Sequence, residues 1–164
     1  MSRRPVRIAL ASVAGVALIG GGYVAGAAQG EAPAPTAKRA ELAVSESVRG
    51  AKDRTLRLSR VTVPAEANLA LHHHPGTQIS NIEQGTLTYT VKTGQVKVMR
   101  GDASTPRLVR TIKAGQTAGI RAGQWIVEQP NVVHRAANRG KTDVVITIAT
   151  LFPDGAPLSV ANDQ

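Results

Sequence analysis

Three of the four histidines lie in one short run, His72-His73-His74, and the fourth, His134, lies far downstream. Imidazole is the commonest metal-binding side chain in proteins. On an extended segment, successive side chains alternate between two faces, so His72 and His74 point one way and His73 points the other. A Pro-Gly turn follows and brings Gln78 back toward the same space. If His134 comes from a neighbouring strand, the sequence predicts a site with three imidazoles and one amide oxygen.

The segments that must position these side chains have the pattern of β-strands. From Thr55 onward, apolar residues alternate with polar ones, most clearly in the segment 86–91. Gly, Pro or Asn residues separate roughly nine or ten such segments at regular spacing. No helical periodicity of useful length follows the N-terminal region. The pattern predicts an all-β sandwich or barrel.

Length and composition limit the alternatives. The chain has 164 residues, enough for about one domain, and 42% of them are hydrophobic. Aromatic residues make up only 2%, so the core must consist mainly of Val, Ile, Leu and Ala. The net charge is +9, but the basic residues are scattered and few aromatic rings could stack on bases, so no nucleic-acid partner is expected. The absence of cysteine excludes disulfides, a thiol nucleophile and zinc-thiolate sites.

The N-terminus has the pattern of a targeting segment. A short basic stretch precedes an uncharged apolar run over residues 8–28, and Ala25-Gly26-Ala27 fits a signal-peptidase site. Residues 1–28 are therefore predicted to be a signal peptide or a helical membrane anchor, with cleavage favoured because the end of the run is rich in Gly and Ala. Residues 29–43 are predicted to be a flexible Pro/Ala linker. Whether residues 39–48 form a short helical turn or a mobile arm stays open.

The predicted domain resembles the cupin superfamily, whose fold is a double-stranded β-helix, or jelly roll. The first cupin motif has His-x-His, Pro-Gly, Glu and then Gly, and the second has Gly, Pro, His and Asn. The matching residues here are His72, His74, Pro75, Gly76, Gln78 and Gly85, then Gly123, Pro130, His134 and Asn138. Pro130 lies one residue closer to His134 than is usual in the family. The resemblance covers residues 44–155, leaving 156–164 as a C-terminal tail.

The resemblance implies that His72, His74 and His134 bind one divalent metal ion, which could be Fe, Mn, Zn, Ni or Cu. Family members usually add the motif Glu as a fourth ligand, but this chain has Gln78 there. An amide oxygen is neutral, so the site would keep a charge near +2, which lowers the pKa of a bound water or attracts an anionic substrate. Gln78 is either a weak ligand or a residue that holds a metal-bound water.

Other residues near the motifs could complete a pocket. Asn138, Tyr89 and Trp125 are candidates to line the pocket or support the ligands, although core packing is the alternative for Tyr89 and Trp125. Asn138 fits a structural hydrogen-bonding role better than a ligand role. Glu83 and Glu128 are the carboxylates nearest to the motifs in sequence, and either could act as a general base, but exposed strand positions are the commoner outcome.

Together these features predict an exported cupin, extracytoplasmic and bacterial, that binds a divalent metal and acts on or binds a small molecule. Oxygenase-type chemistry is the family's commonest metal-dependent use, but the sequence assigns no catalytic residue. The alternative is a non-catalytic ligand-binding module with a weak or absent metal site. Membrane contact is expected only through the N-terminal segment, and a homodimer is an open alternative.

Overall fold

The computed structural model describes residues 34–46 and 48–163, and in these ranges the protein is all-β. The strands are β1 (Lys38–Ser45), β2 (Arg54–Val63), β3 (Asn68–His73), β4 (Thr77–Gln84), β5 (Thr86–Val91), β6 (Gln95–Arg100), β7 (Arg107–Lys113), β8 (Thr117–Arg121), β9 (Gln124–Glu128), β10 (His134–Asn138), β11 (Val144–Pro153) and β12 (Val160–Ala161). The predicted signal peptide or anchor, residues 1–28, lies outside the described residues. Within them, no helix has the length and apolar character needed to cross a bilayer.

The strands form two antiparallel sheets that pack face to face. The seven-stranded sheet has the order β1-β2-β11-β4-β9-β6-β7, and the five-stranded sheet has the order β12-β3-β10-β5-β8. Period-two alternation buries one face of each central strand, as in β11, where every second residue is buried. The core between the sheets consists mainly of Val and Ile, including Val63, Ile82, Val91 and Val144. This arrangement confirms the predicted all-β jelly roll.

The domain extends beyond the predicted boundaries at both ends. β1 begins at Lys38, inside the segment predicted to be linker, and pairs along its length with β2. β12 lies in the predicted C-terminal tail and pairs with β3. Hydrophobic patterning could not predict β1, because all eight of its residues are exposed. Backbone hydrogen bonds and a 2.7 Å ion pair between Arg57 and Glu41 hold this strand on the sheet. Strand β1 also replaces the helical turn that was left open for residues 39–48.

One end of the core is lined by polar side chains, and the strand register places them next to one another. In the seven-stranded sheet, Gln78 of β4 pairs with Thr150 of β11 on one side and with Glu128 of β9 on the other. All three side chains are buried. In the opposing sheet, His134 of β10 pairs with His72 of β3. Two short rows of polar residues, one from each sheet, therefore meet inside the barrel.

Between β3 and β4 the chain crosses from one sheet to the other through His74, Pro75 and Gly76. Gly76 allows this crossing because the backbone passes very close to β11. A Cβ atom at this position would lie 2.7 Å from Cδ1 and 2.9 Å from Cα of Phe152, and closer still to the Leu151 carbonyl. The Pro-Gly pair thus brings the polar end of β4 opposite the histidines.

Candidate metal centre

The structure brings His72, His74 and His134 together, although they come from distant parts of the chain. One ring nitrogen from each lies within 4.8 Å of the corresponding atoms of the other two. The ring centroids are 5.0 Å apart for His72 and His74, and 4.3 Å apart for His72 and His134. His74 and His134 are buried, whereas His72 is half-buried and is the most accessible of the three. This convergence is the arrangement that a three-histidine metal site requires.

Backbone carbonyl groups fix the orientation of all three rings. Nδ1 of His72 lies 2.7 Å from the Ala70 carbonyl oxygen, and Nδ1 of His74 lies 2.8 Å from that of Leu158. Nδ1 of His134 lies 3.0 Å from the Val132 carbonyl oxygen. A carbonyl only accepts, so each Nδ1 carries the proton and donates, which leaves Nε2 of each neutral ring with a free lone pair. Such outer hydrogen bonds are typical of metal-binding histidines.

Glu128, for which the sequence offered a general base or an exposed strand position, lies buried in this centre. It is only 2% exposed, and its Oε1 atom lies 3.0 Å from Nε2 of His134. The Tyr89 hydroxyl donates to the same oxygen at 2.6 Å. Oε2 accepts from the Gln78 amide and, at 3.2 Å, from the Ser80 hydroxyl. The two sheets therefore surround one buried carboxylate with four polar partners.

Burial and charge shift the pKa values of these groups. Burial lowers the pKa of His72 to about 4, with the charge of His134 acting in the same direction. Burial also lowers the pKa of His74, against the opposing effect of Glu128. Burial alone would raise the pKa of Glu128, but the charges of His134 and His74 and the hydrogen bonds from Tyr89 and Gln78 outweigh it and lower this pKa. The centre thus favours neutral His72 and His74 beside an ionised Glu128.

Gln78 lies in the centre, as expected, but its amide is committed to Glu128. Nε2 donates to Glu128 and lies 3.3 Å from the Ser80 hydroxyl. The amide cannot be reversed, because Oε1 would then face the carboxylate, acceptor against acceptor. Oε1 is buried and has no hydrogen-bond partner, and the same is true of the Thr150 hydroxyl on the neighbouring strand. Three imidazole rings beside a buried carboxylate are ligand types that divalent metals accept, so the donor set fits a metal.

Of the other predicted pocket residues, only Tyr89 lies at the centre. Its ring stacks on that of His134, with centroids 4.8 Å apart. Trp125 is half-buried and occupies the alternate face of β9 from Glu128, where its indole donates to the Gly101 carbonyl at 2.9 Å. The expectation that Trp125 lines the pocket is therefore corrected by the strand's alternation.

Asn138 is buried at the end of β10, where it supports the fold. Its Nδ2 donates to the carbonyl oxygens of Val63 at 2.9 Å and Thr142 at 2.8 Å, and its Oδ1 accepts from the Gly140 amide at 2.9 Å. The bonds to Thr142 and Gly140 close the turn between β10 and β11, and the bond to Val63 ties that turn to the end of β2. They match the structural role that the sequence favoured for Asn138.

A separate groove of about 610 Å³ lies on the outer face of the five-stranded sheet. Thr88, Thr90 and Arg135 contribute to its wall, and all three alternate with inward-facing residues of β5 and β10. The groove contains none of the predicted site residues, so it is distinct from the histidine centre.

Comparison with known proteins supports the fold and not a specific activity. No protein-family profile matches the sequence, and neither does any curated protein. Among solved structures, a cupin 2 domain-containing protein from Halorhodospira halophila aligns with a TM-score of 0.52 and 11% identity, covering 78% of this chain and 71% of that one. An RmlC-like cupin from Shewanella frigidimarina aligns with a TM-score of 0.49 and 16% identity, covering 76% and 84% of the two chains. With its two packed antiparallel sheets, this chain has the cupin fold.

Proposed function

We propose that this protein is an exported metal-binding cupin whose three-histidine centre holds one divalent ion and, through it, binds or transforms a small molecule. The observation that carries the proposal is the common orientation of His72, His74 and His134. Each ring donates Nδ1–H to a backbone carbonyl, so Nε2 is the atom left to bind an ion, and that of His134 also lies 3.0 Å from Oε1 of Glu128. Three rings fixed in this way have lost the freedom that metal binding would otherwise remove.

A bound divalent ion would act as a Lewis acid or activate a water or dioxygen at positions that the protein leaves open. The surrounding residues define the environment of that chemistry. Tyr89 and Phe152 stack on His134 and His74, so the rings are enclosed by aromatic surface. His72, the more exposed ring, marks the side from which a small molecule would approach.

The positive charge of Arg39 near the histidines favours an anionic ligand. Burial is the main cause of the lowered pKa of His74, and the positive charge of Arg39 on β1 makes a small contribution in the same direction. An arginine guanidinium can bind a carboxylate through two parallel hydrogen bonds. A small carboxylate that coordinates the ion and contacts Arg39 is the ligand class that this arrangement suits.

Metal analysis of the purified protein tests the proposal. We expect about one divalent ion per chain, lost in His72→Ala, His74→Ala and His134→Ala. His73→Ala is the matched control, because His73 bonds to Asn162 at 2.8 Å and is not a member of the three-histidine group. A folded wild-type protein that takes up no Zn²⁺, Mn²⁺ or Fe²⁺ would contradict the proposal.

Export is part of the proposal and rests on the basic and apolar segment of residues 1–28. Expression of the full chain with an epitope tag, followed by cell fractionation, tests it. We expect the tagged protein outside the cytoplasm and a shift to the cytoplasm when Arg3 and Arg4 are replaced by Glu. Retention of the wild-type chain in the cytoplasm would exclude export.

A second candidate is a non-catalytic binding module that works without metal. The observation in its favour is that three donors within the protein, from Gln78, Ser80 and Tyr89, already bond to the Glu128 carboxylate. Thermal-shift measurements on chelator-treated protein distinguish the two functions. Stabilisation by a small carboxylate after chelation favours the binding module, and stabilisation that needs added Zn²⁺ favours the metal centre.

A further inference from the structure

A buried glutamate, Glu128, lies directly opposite position 78, where the first histidine motif usually has its carboxylate. Position 78, where the cupin motif has Glu, is Gln in this chain. Gln78 of β4 and Glu128 of β9 are partners in the antiparallel register, and both side chains are buried, at 4% and 2% exposure. Directly opposed residues on one face of a sheet have closely spaced Cβ atoms. A carboxylate on either strand can therefore reach nearly the same space.

The distance between Glu128 and His134 is that of two ligands on one ion. Oε1 of Glu128 lies 3.0 Å from Nε2 of His134. Two ligands that each lie about 2.1 Å from an ion are about 3.0 Å apart at the octahedral angle of about 90° and about 3.4 Å apart at the tetrahedral angle. Because the Nδ1 proton of His134 is donated to Val132, a neutral ring would present a lone pair to the carboxylate. Two acceptors at this distance need a proton or a metal ion between them.

The other contacts of Glu128 keep its Oε1 atom directed at the histidines. Gln78 and Ser80 donate to Oε2, on the side of the seven-stranded sheet, while Tyr89 reaches Oε1 from the opposing sheet. A buried carboxylate has a large desolvation cost unless hydrogen bonds and a positive charge compensate it. The three donors supply part of that compensation, and a bound divalent ion would supply the rest.

We propose that Glu128 is the anionic fourth ligand of the metal centre, so that the carboxylate usually carried by β4 has moved to its register partner on β9. The inference rests on the proposed function, because it requires that the three histidines bind a metal. It assigns Gln78 a different role from that of a weak ligand: Gln78 orients Glu128. With one carboxylate and three neutral imidazoles, a divalent ion would leave the centre with a net charge near +1.

Exchanging the two side chains tests the proposal. Zn²⁺ affinity is measured by calorimetry for the wild type, Glu128→Gln and the double variant Gln78→Glu/Glu128→Gln. We expect Glu128→Gln to weaken Zn²⁺ binding by about 10- to 100-fold. The double variant should recover most of that loss, because it returns the carboxylate to β4 and keeps one amide and one carboxylate in contact. Glu83→Gln is the control, since Glu83 is on the same strand as Gln78 but exposed.

The outcomes separate this inference from the proposed function. If Glu128→Gln binds Zn²⁺ as tightly as the wild type while His134→Ala does not bind it, Glu128 is not a ligand and the three-histidine centre stands. If Zn²⁺ binds more tightly to Glu128→Gln, Glu128 competes for His134 and the proposal is overturned. If the wild type binds no metal, both fail.

A measurement on the wild type covers the case in which Glu128→Gln does not fold. Infrared difference spectra are recorded on adding one equivalent of Zn²⁺ to metal-free protein labelled with ¹³C-glutamate. We expect a shift in the carboxylate stretching bands, because coordination changes the two C–O bonds of Glu128. Zn²⁺ binding with no change in the labelled bands would overturn the proposal.

Discussion

Tyr89 and His134 form a stacked pair inside the barrel, with ring centroids 4.8 Å apart and an interplanar angle of 16°. They lie on adjacent strands, β5 and β10, and both contact Oε1 of Glu128. Tyr89 thus fixes the plane of the histidine ring through its own ring and the position of the carboxylate through its hydroxyl. The two effects can be separated by substitution.

Tyr89→Phe keeps the stacked ring and removes the hydroxyl. We expect a loss of about 1–3 kcal/mol in the free energy of unfolding, because Glu128 loses a buried donor that no water replaces easily. Urea denaturation followed by circular dichroism measures this loss. Thr90→Val is the control: it removes an exposed hydrogen bond to Thr117 on the other face of β5 and should change stability by less than about 0.5 kcal/mol. Equal effects of the two substitutions would show that the Tyr89 hydroxyl is not important to the centre.

Asn138→Ala should affect folding and leave metal binding intact. The side chain makes two hydrogen bonds that close the turn between β10 and β11 and a third to the Val63 carbonyl at the end of β2. Their loss leaves buried backbone groups without partners and should cost about 2–4 kcal/mol of stability. The check combines urea denaturation with Zn²⁺ titration below the unfolding transition. A large drop in Zn²⁺ affinity in the folded variant would show that Asn138 supports the ligands directly.

Gly76→Ala should destabilise the domain more than Gly115→Ala. A Cβ at Gly76 would collide with the backbone of Leu151 and Phe152, whereas Gly115 has nothing within 4 Å of the added atom. Gly115 has a φ of +81°, so its substitution carries a backbone cost of about 1–2 kcal/mol. The collision at Gly76 should cost on the order of 3 kcal/mol, because neither backbone can move without disturbing β11. Urea midpoints of the two variants provide the comparison, and a smaller loss for Gly76→Ala would contradict the close packing described for this crossing.

Asp102 should titrate at unusually low pH. Hydrogen bonds from the side chain of Ser104, and then from the amides of Thr105 and Ser104, lower the pKa of Asp102 from 3.8 to about 2. Because the folded-state pKa is depressed, the stability that these bonds provide is present above about pH 3.8 and is lost as the pH falls through about 2. The Ser104 and Thr105 amide resonances should follow this titration in NMR spectra and show no such step in Asp102→Asn. A midpoint near 3.8 in the wild type would contradict the hydrogen-bonded loop.

The sequence predicted the histidines of the centre but not its carboxylate. His72 and His74 could be paired because one intervening residue places them on the same side, and the second motif added His134. For Glu128 the sequence offered a general base or, more commonly, an exposed strand position, because charged strand residues usually face solvent. The sequence of β9, residues 124–128, nevertheless contained a signal. Because side chains alternate between the two faces of a strand, Glu128 lies on the same face as Ile126, which is an apolar core residue. The contact between Gln78 on β4 and Glu128 on β9 became visible only through the strand register.

For Trp125, on the same strand, the sequence predicted a position in the pocket, whereas the structure places it on the other face of β9. A large aromatic residue beside a motif suggests a pocket wall, yet Ile126 occupies the core and Trp125 the other face. β1 was missed for a different reason, since an edge strand held by backbone pairing needs no buried side chain. Fold class follows from side-chain periodicity, whereas site composition depends on which strands become neighbours, and that information is non-local.

The carbonyl of Leu158 that accepts from His74 lies just before β12, and Asn162 beyond it bonds to His73. The histidine run is thus held by residues 158–162 as well as by the strands of the barrel. Removing the residues after Pro153 would take away the hydrogen-bond partners of both His73 and His74, together with the pairing of β12 on β3. Metal occupancy is therefore comparable only among variants that keep residues 158–162.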